Sequence, residues 1–258
     1  MYKLDFVAKI YARLTFELRS TYPEAMLAQY PRGAKQLSEF ISGYLNHTYE
    51  VARSDFYDTS GASPEEVATA PTDSDVYSLV MIKRRPESRT PGQLVRRPVR
   101  IHLNTGKMTD GEALNKCWRR FCGLKEVCQA VIYEELNSDG DNGAYPATIV
   151  FKEVNSLFEK INNEPFSLWD FDDDNYDFAH FTENAAELLA LGLLYPFEHS
   201  FEHQKGLGSS FQGDLTSVDL LPIAKHYKVP KRYVELMMTW TGLAAFVAKA
   251  ETYLDSVD

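Results

Sequence analysis

The sequence predicts an α+β fold, mostly helical, with a small sheet of about three strands and a helical C-terminal tail. Three observations carry that prediction. Apolar residues recur at helical spacing over long stretches at both ends and in the middle of the chain. Short β-type runs, bounded by Pro, Gly and Arg, interrupt them in the first half. Turn-forming clusters separate the two kinds of segment.

Taken in order, residues 5–20 read as an amphipathic helix through Phe6, Ile10, Leu14 and Leu18. Pro23 and Pro31 break the chain before a second helix over 33–51. Residues 60–75, rich in Ser, Thr, Pro and acid, read as a linker. Runs at Val76–Ile82 and Val99–Leu103 predict strands joined by a Pro- and Arg-rich connection. A helix over 111–136 follows, with Thr109 or Asp110 available as its cap, and ends at the cluster from Asn137 to Gly143. A third strand is expected at 147–151 and a helix from there to about 161. The acidic, aromatic loop 164–179 leads into a helix over 180–194, which Pro196 ends. The tail reads as helices over 216–227 and 231–254. The expected organisation is an N-terminal helical segment (1–70), a core (75–196) and a C-terminal helical region (197–258), in one compact unit.

A chain of 258 residues with 44% apolar content is long enough to bury a substantial core. No stretch approaches the roughly 20 apolar residues that span a bilayer. Cys117, Cys122 and Cys128 are odd in number and crowd one helix, which fits reduced thiols and a cytoplasmic location. The net charge of −10 opposes general affinity for nucleic acid. That average hides an asymmetry. Arg84, Arg85, Arg89, Arg96 and Arg97 crowd one connection, while the stretch between Lys160 and Lys205 has no Lys or Arg and carries Asp170, Asp172, Asp173, Asp174 and Asp177. Asp170, Asp172 and Asp174 imitate the opening of a calcium loop, but Asn175 replaces its glycine and Phe181 its closing glutamate, so a solvated acidic loop is expected.

Two segments carry the functional argument. The first is Arg119-Arg120-Phe121-Cys122-Gly123-Leu124-Lys125-Glu126-Val127-Cys128-Gln129, preceded by the strand run Pro98 to Asn104. The second is Glu183 with Ala186, Leu189-Ala190, Leu193-Leu194-Tyr195 and Pro196. Together they resemble the two signature helices of the ImmA/IrrE family of metallopeptidase-like proteins, which cut repressor-type regulators. The resemblance covers roughly 75–240 and implies a zincin-like domain. It places Lys125 and Gln129 where the family's His-Glu-x-x-His motif has its two metal-binding histidines. Glu126 then stands at the general-base position and Glu183 at the third ligand.

The chemistry of that site is missing two parts. Zinc needs two imidazoles at i and i+4 facing one ion, and the glutamate needs the metal-bound water to act as a base. An ammonium is not a ligand, and a neutral amide binds zinc poorly. The resemblance therefore implies a catalytically inactive, protein-binding or regulatory module from a phage, plasmid or defence locus, whose partner is a helix-turn-helix regulator or another protein of that locus. No cofactor is expected. Lys125 is expected to replace the lost cation by pairing with Glu126 or Glu183, since a buried carboxylate without a partner is costly.

Two alternatives stand beside this reading. His199-Ser200-Phe201-Glu202-His203 spells an inverted peptidase motif, and His180 lies one helical turn before Glu183. A zinc-dependent peptidase rebuilt from Glu126, Glu183, His180, His199 and His203 would need zinc as cofactor. The run Leu221 to Val234 resembles a helix-turn-helix, and Lys225, Lys228, Lys231 and Arg232 would make it locally basic, so residues 219–238 are a candidate surface for a partner or for DNA.

Overall fold

The computed structural model describes residues 4–49, 51–58, 78–83, 97–103, 112–138, 148–150, 178–207 and 218–256; of the strands it describes the backbone together with Ile101 and Leu103. The linker 60–75, the turn at 139–143, the helix expected before 161 and the acidic cluster Asp170–Asp177 lie outside these residues.

In chain order the elements are α1 (Leu4–Thr21), the helical turn α2 (Glu24–Leu27), α3 (Ala34–Tyr49), β1 (Val51–Asp58), β2 (Ser78–Lys83), β3 (Arg97–Leu103), α4 (Glu112–Ser138), β4 (Thr148–Val150), α5 (Phe178–Leu194), α6 (Phe197–Gly206), α7 (Leu221–Tyr227), α8 (Lys231–Thr239) and α9 (Leu243–Asp255). They form two units, one of Met1–Gly33 with Asn155–Asp258 and one of Ala34–Val154.

In the first unit every described element is a helix. α1 buries Val7, Ile10, Tyr11, Leu14 and Leu18, one side of a 3.6-residue period, and packs along α9, which buries Leu243, Phe246, Val247 and Ala250. Each such side chain contributes about 1.5–3 kcal/mol when fully buried. Asp5 fixes the ends of the two helices, accepting from the Tyr253 hydroxyl at 2.8 Å and pairing with Lys249. α5 is buried throughout from Asn184 to Leu194. Pro196 ends it and caps α6, whose first residue, Phe197, turns its ring into the core. That ring lies 4.7 Å from Tyr11 and 4.6 Å from Phe246, centroid to centroid. It also lies so close to Gly192 that a β-carbon there would collide with it, so α5 needs a glycine at this turn.

The expected single helix over 231–254 is two helices. Trp240 leaves helical geometry (φ −74°, ψ 104°), and the side-chain amide of Gln204 reaches the freed carbonyls of Met238 and Trp240 at 3.1 and 3.0 Å, with that of Met237 at 3.4 Å. A helix C-terminus leaves its last carbonyls without intrahelical donors, and this amide supplies them from α6.

In the second unit α3 and α4 pack on each other, α4 also lies on β2 and β3, and α3 contacts β1. The strand order is β1-β3-β2-β4. β1 runs parallel to β3, with an irregularity between Val51 and Ser54, while β2 is antiparallel to both β3 and β4. Ile101, fully buried, stands in register between Phe56 and Val80.

The expectation of an α+β, zincin-like domain built around about three strands is corrected. Helix dominates the described residues. Among the described residues the strand segments number four, all within 34–154, and the helix carrying the second motif, α5, belongs to the unit whose described elements are all helices. The physical reason is α1 and the tail: their apolar faces bury against each other and against α5, so this unit completes a core from helices alone.

Candidate functional site

α4 is where the sequence puts its chemistry. All residues from Phe121 to Glu134 are buried, an apolar environment that nevertheless includes Lys125, Glu126, Gln129 and Glu134. The Lys125 ammonium lies 3.1 Å from Glu126 Oε1, and neither side chain is exposed at all. Adjacent residues on a helix do not face each other, so the flexible lysine stem must fold back to reach its neighbour. Two buried ions are tolerated because each is the other's counter-charge, and either left alone would be strongly unfavourable.

A zinc ligand must offer a lone pair, and Lys125 offers an ammonium proton to a carboxylate instead. Its positive charge sits at one of the two positions where the resembled family has an imidazole, beside the glutamate that would be its base. Cys122 and Cys128 share the buried stretch as free thiols. Burial, and then the charge of Glu126, push the Cys128 thiol well above its ordinary value, which keeps it protonated and unreactive. His180 and Glu183 lie on α5, but their side chains are outside the described residues, so the pairing of Lys125 with Glu183 is not placed.

The inverted motif falls on a regular helix, α6. His199 and His203 are one turn apart, and each meets a phenol. His203 Nδ1 is 2.7 Å from the Tyr195 hydroxyl, and His199 Nδ1 is 3.0 Å from the Tyr227 hydroxyl. The Tyr227 ring stacks 4.3 Å from Tyr195 and 4.9 Å from Tyr30, with His226 at 4.7 Å. Burial pushes the phenol of Tyr227 up to about 12 and raises that of Tyr195, so both stay protonated. Each phenol and imidazole share one hydrogen bond, the tautomer of the ring deciding which of the two donates.

Both histidines are held below the ordinary imidazole value, chiefly by burial. His199 is lowered further by Arg32 and His226 against an opposing pull from Glu198, and His203 by His199 and His226. Sequence reasoning singled out the histidines and placed Tyr195 in the second motif, but gave neither Tyr195 nor Tyr227 a role beside them. Among the described residues, no group of three or more His, Cys, Asp or Glu side chains is placed to hold a metal ion.

The tail has the expected helix-turn-helix outline. Asp219 Oδ1 accepts from the Leu221 amide at the start of α7, Lys228 takes the left-handed conformation (φ 50°) after it, and Pro230 caps α8. Lys225, Lys228, Lys231 and Arg232 are exposed. Lys231 pairs with Glu235 at 3.0 Å, which offsets part of the local positive charge.

Among the described residues no helix is long and apolar enough to cross a membrane. Compared with known proteins, the chain matches no family model, no curated sequence and no solved structure.

Proposed function

We propose that this chain is a catalytically inactive relative of the ImmA/IrrE family that works in the cytoplasm by binding a protein partner, a helix-turn-helix regulator or another product of the same mobile or defence locus. The observation that supports this reading is the Lys125–Glu126 ion pair at 3.1 Å, wholly buried at the peptidase-motif position. A fixed ammonium there occupies the base and replaces a ligand, which argues for binding rather than hydrolysis.

The experiment restores what was lost. Zinc content is measured by elemental analysis for the native chain and for the double variant Lys125→His with Gln129→His. The expected result is no stoichiometric zinc in the native chain, and about one zinc per chain in the double variant, lost again with Glu183→Gln. Stoichiometric zinc in the native chain, removed by changing Glu183 or His203, would overturn the proposal in favour of a peptidase with a rebuilt site. Failure of the double variant to take up zinc would show that α4 is not a degenerate peptidase helix.

A further inference from the structure

The helical unit holds a cavity of about 680 Å³ that the reading above leaves unused. Small-molecule clefts measure ~300–1,000 Å³. Its wall comes from α1, from α2 and the segment after it, and from the first turn of α6. Two guanidinium groups, Arg19 and Arg32, and two carboxylates, Glu24 and Glu198, border it.

Two of these charges are already oriented. Arg32 Nε donates to the Leu27 carbonyl at 3.3 Å and Nη1 to the Leu193 carbonyl at 3.1 Å, and the guanidinium lies 5.1 Å over the Tyr30 ring. The Tyr11 hydroxyl donates to Glu198 Oε2 at 3.1 Å, from a phenol that burial and the Glu198 charge keep protonated. Groups fixed before a ligand arrives lose little freedom when it binds.

The mixture of charges selects the ligand. A phosphate-like anion drawn by the arginines would meet two carboxylates, and a polyamine drawn by the carboxylates would meet two guanidinium groups. A neutral apolar molecule would take water from the Glu198 and Arg32 groups and return no charge to them. A ligand with one charge of each sign meets one carboxylate and one guanidinium without facing a like charge alone. Its amine fits against Glu198 beside the Tyr11 and Tyr30 rings, which attract cations, and its carboxylate fits Arg19. The volume is too large for a lone amino acid, and Leu18 and Leu27 offer apolar wall for side chains. We propose that this cavity binds a short peptide with free amino and carboxyl ends.

The test is calorimetric titration of the full chain with the tripeptides Ala-Ala-Ala, Ala-Leu-Ala and Ala-Phe-Ala, with the same peptides acetylated or amidated at their ends, and with leucine. At least one free tripeptide should bind saturably with a Kd below about 1 mM. Acetylation of its amine should weaken binding by about tenfold or more, the usual loss of a charge-assisted hydrogen bond, and Glu198→Gln should do the same. Arg19→Gln, at an exposed position, should weaken binding and abolish the further effect of amidation. The proposal is overturned if no tripeptide binds saturably, if acetylation leaves affinity unchanged in the native chain, or if leucine binds as tightly as the tripeptides. The blocked peptides decide the matter even if Glu198→Gln impairs folding.

Discussion

Lys125→Met tests how α4 tolerates its buried charges. The replacement keeps most of the lysine stem and removes the ammonium, so the buried Glu126 carboxylate loses the counter-charge 3.1 Å from it. With the pair at 3.1 Å and both side chains unexposed, no water can take over the missing counter-charge. Breaking one side of such a pair costs about 3–5 kcal/mol, whereas replacing both partners by apolar groups of similar size is close to neutral. At ~2–4 °C per kcal/mol for a chain of this size, the single variant should melt roughly 10 °C lower. Lys125→Met with Glu126→Met should recover most of that loss. The assay is thermal and urea unfolding of the native chain, both single variants and the double, read as a double-mutant cycle. A single variant within about 1 kcal/mol of native, or losses that simply add, would refute the view that the two buried charges stabilise each other.

Three further outcomes are expected. Gly192→Ala forces a methyl group into the buried Phe197 ring and should destabilise the helical unit by about 1–3 kcal/mol, with partial rescue by Phe197→Leu in urea denaturation. Because His199 and His203 are lowered by burial, the folded state binds fewer protons than the unfolded one just below the free imidazole value. Stability should therefore be complete above about pH 6.5 and fall as the pH drops through the lowered folded values, a slope that the double variant His199→Gln with His203→Gln should flatten. The thiols of Cys122 and Cys128 should resist iodoacetamide in the native protein and react on unfolding, which mass spectrometry of the alkylated chain reads directly.

The helices were largely legible because their signals are local. The α4 pattern ends at a turn cluster and the α5 pattern at a proline, and both helices lie within two residues of the expected bounds. β1 was not legible: Val51 to Asp58 has no clean alternation, and its partner β3 lies some forty residues on, in a parallel pairing that only the folded chain reveals. The break at Trp240 was hidden because apolar spacing resumes at Leu243, and the group that stabilises it, Gln204, belongs to another helix. The charge at Lys125 could be read as a substitution within a motif, and pairing with Glu126 or Glu183 was foreseen. The fold-back onto an adjacent residue could not be chosen from spacing, which disfavours i and i+1. The phenol opposite His199 is hidden for the same reason as β1, since Tyr227 lies 28 residues from the histidine it meets.

The packing of α1 against α9 has a consequence for how the chain is made. α1 precedes α9 by more than two hundred residues, so the helix that supplies most of its cover is made long after it. The unit 34–154, whose elements find their partners among themselves, can close while the ribosome is still working on the tail. Until α9 emerges, the apolar face of α1 lacks much of the cover it has in the folded chain, which makes it a segment for a chaperone to hold.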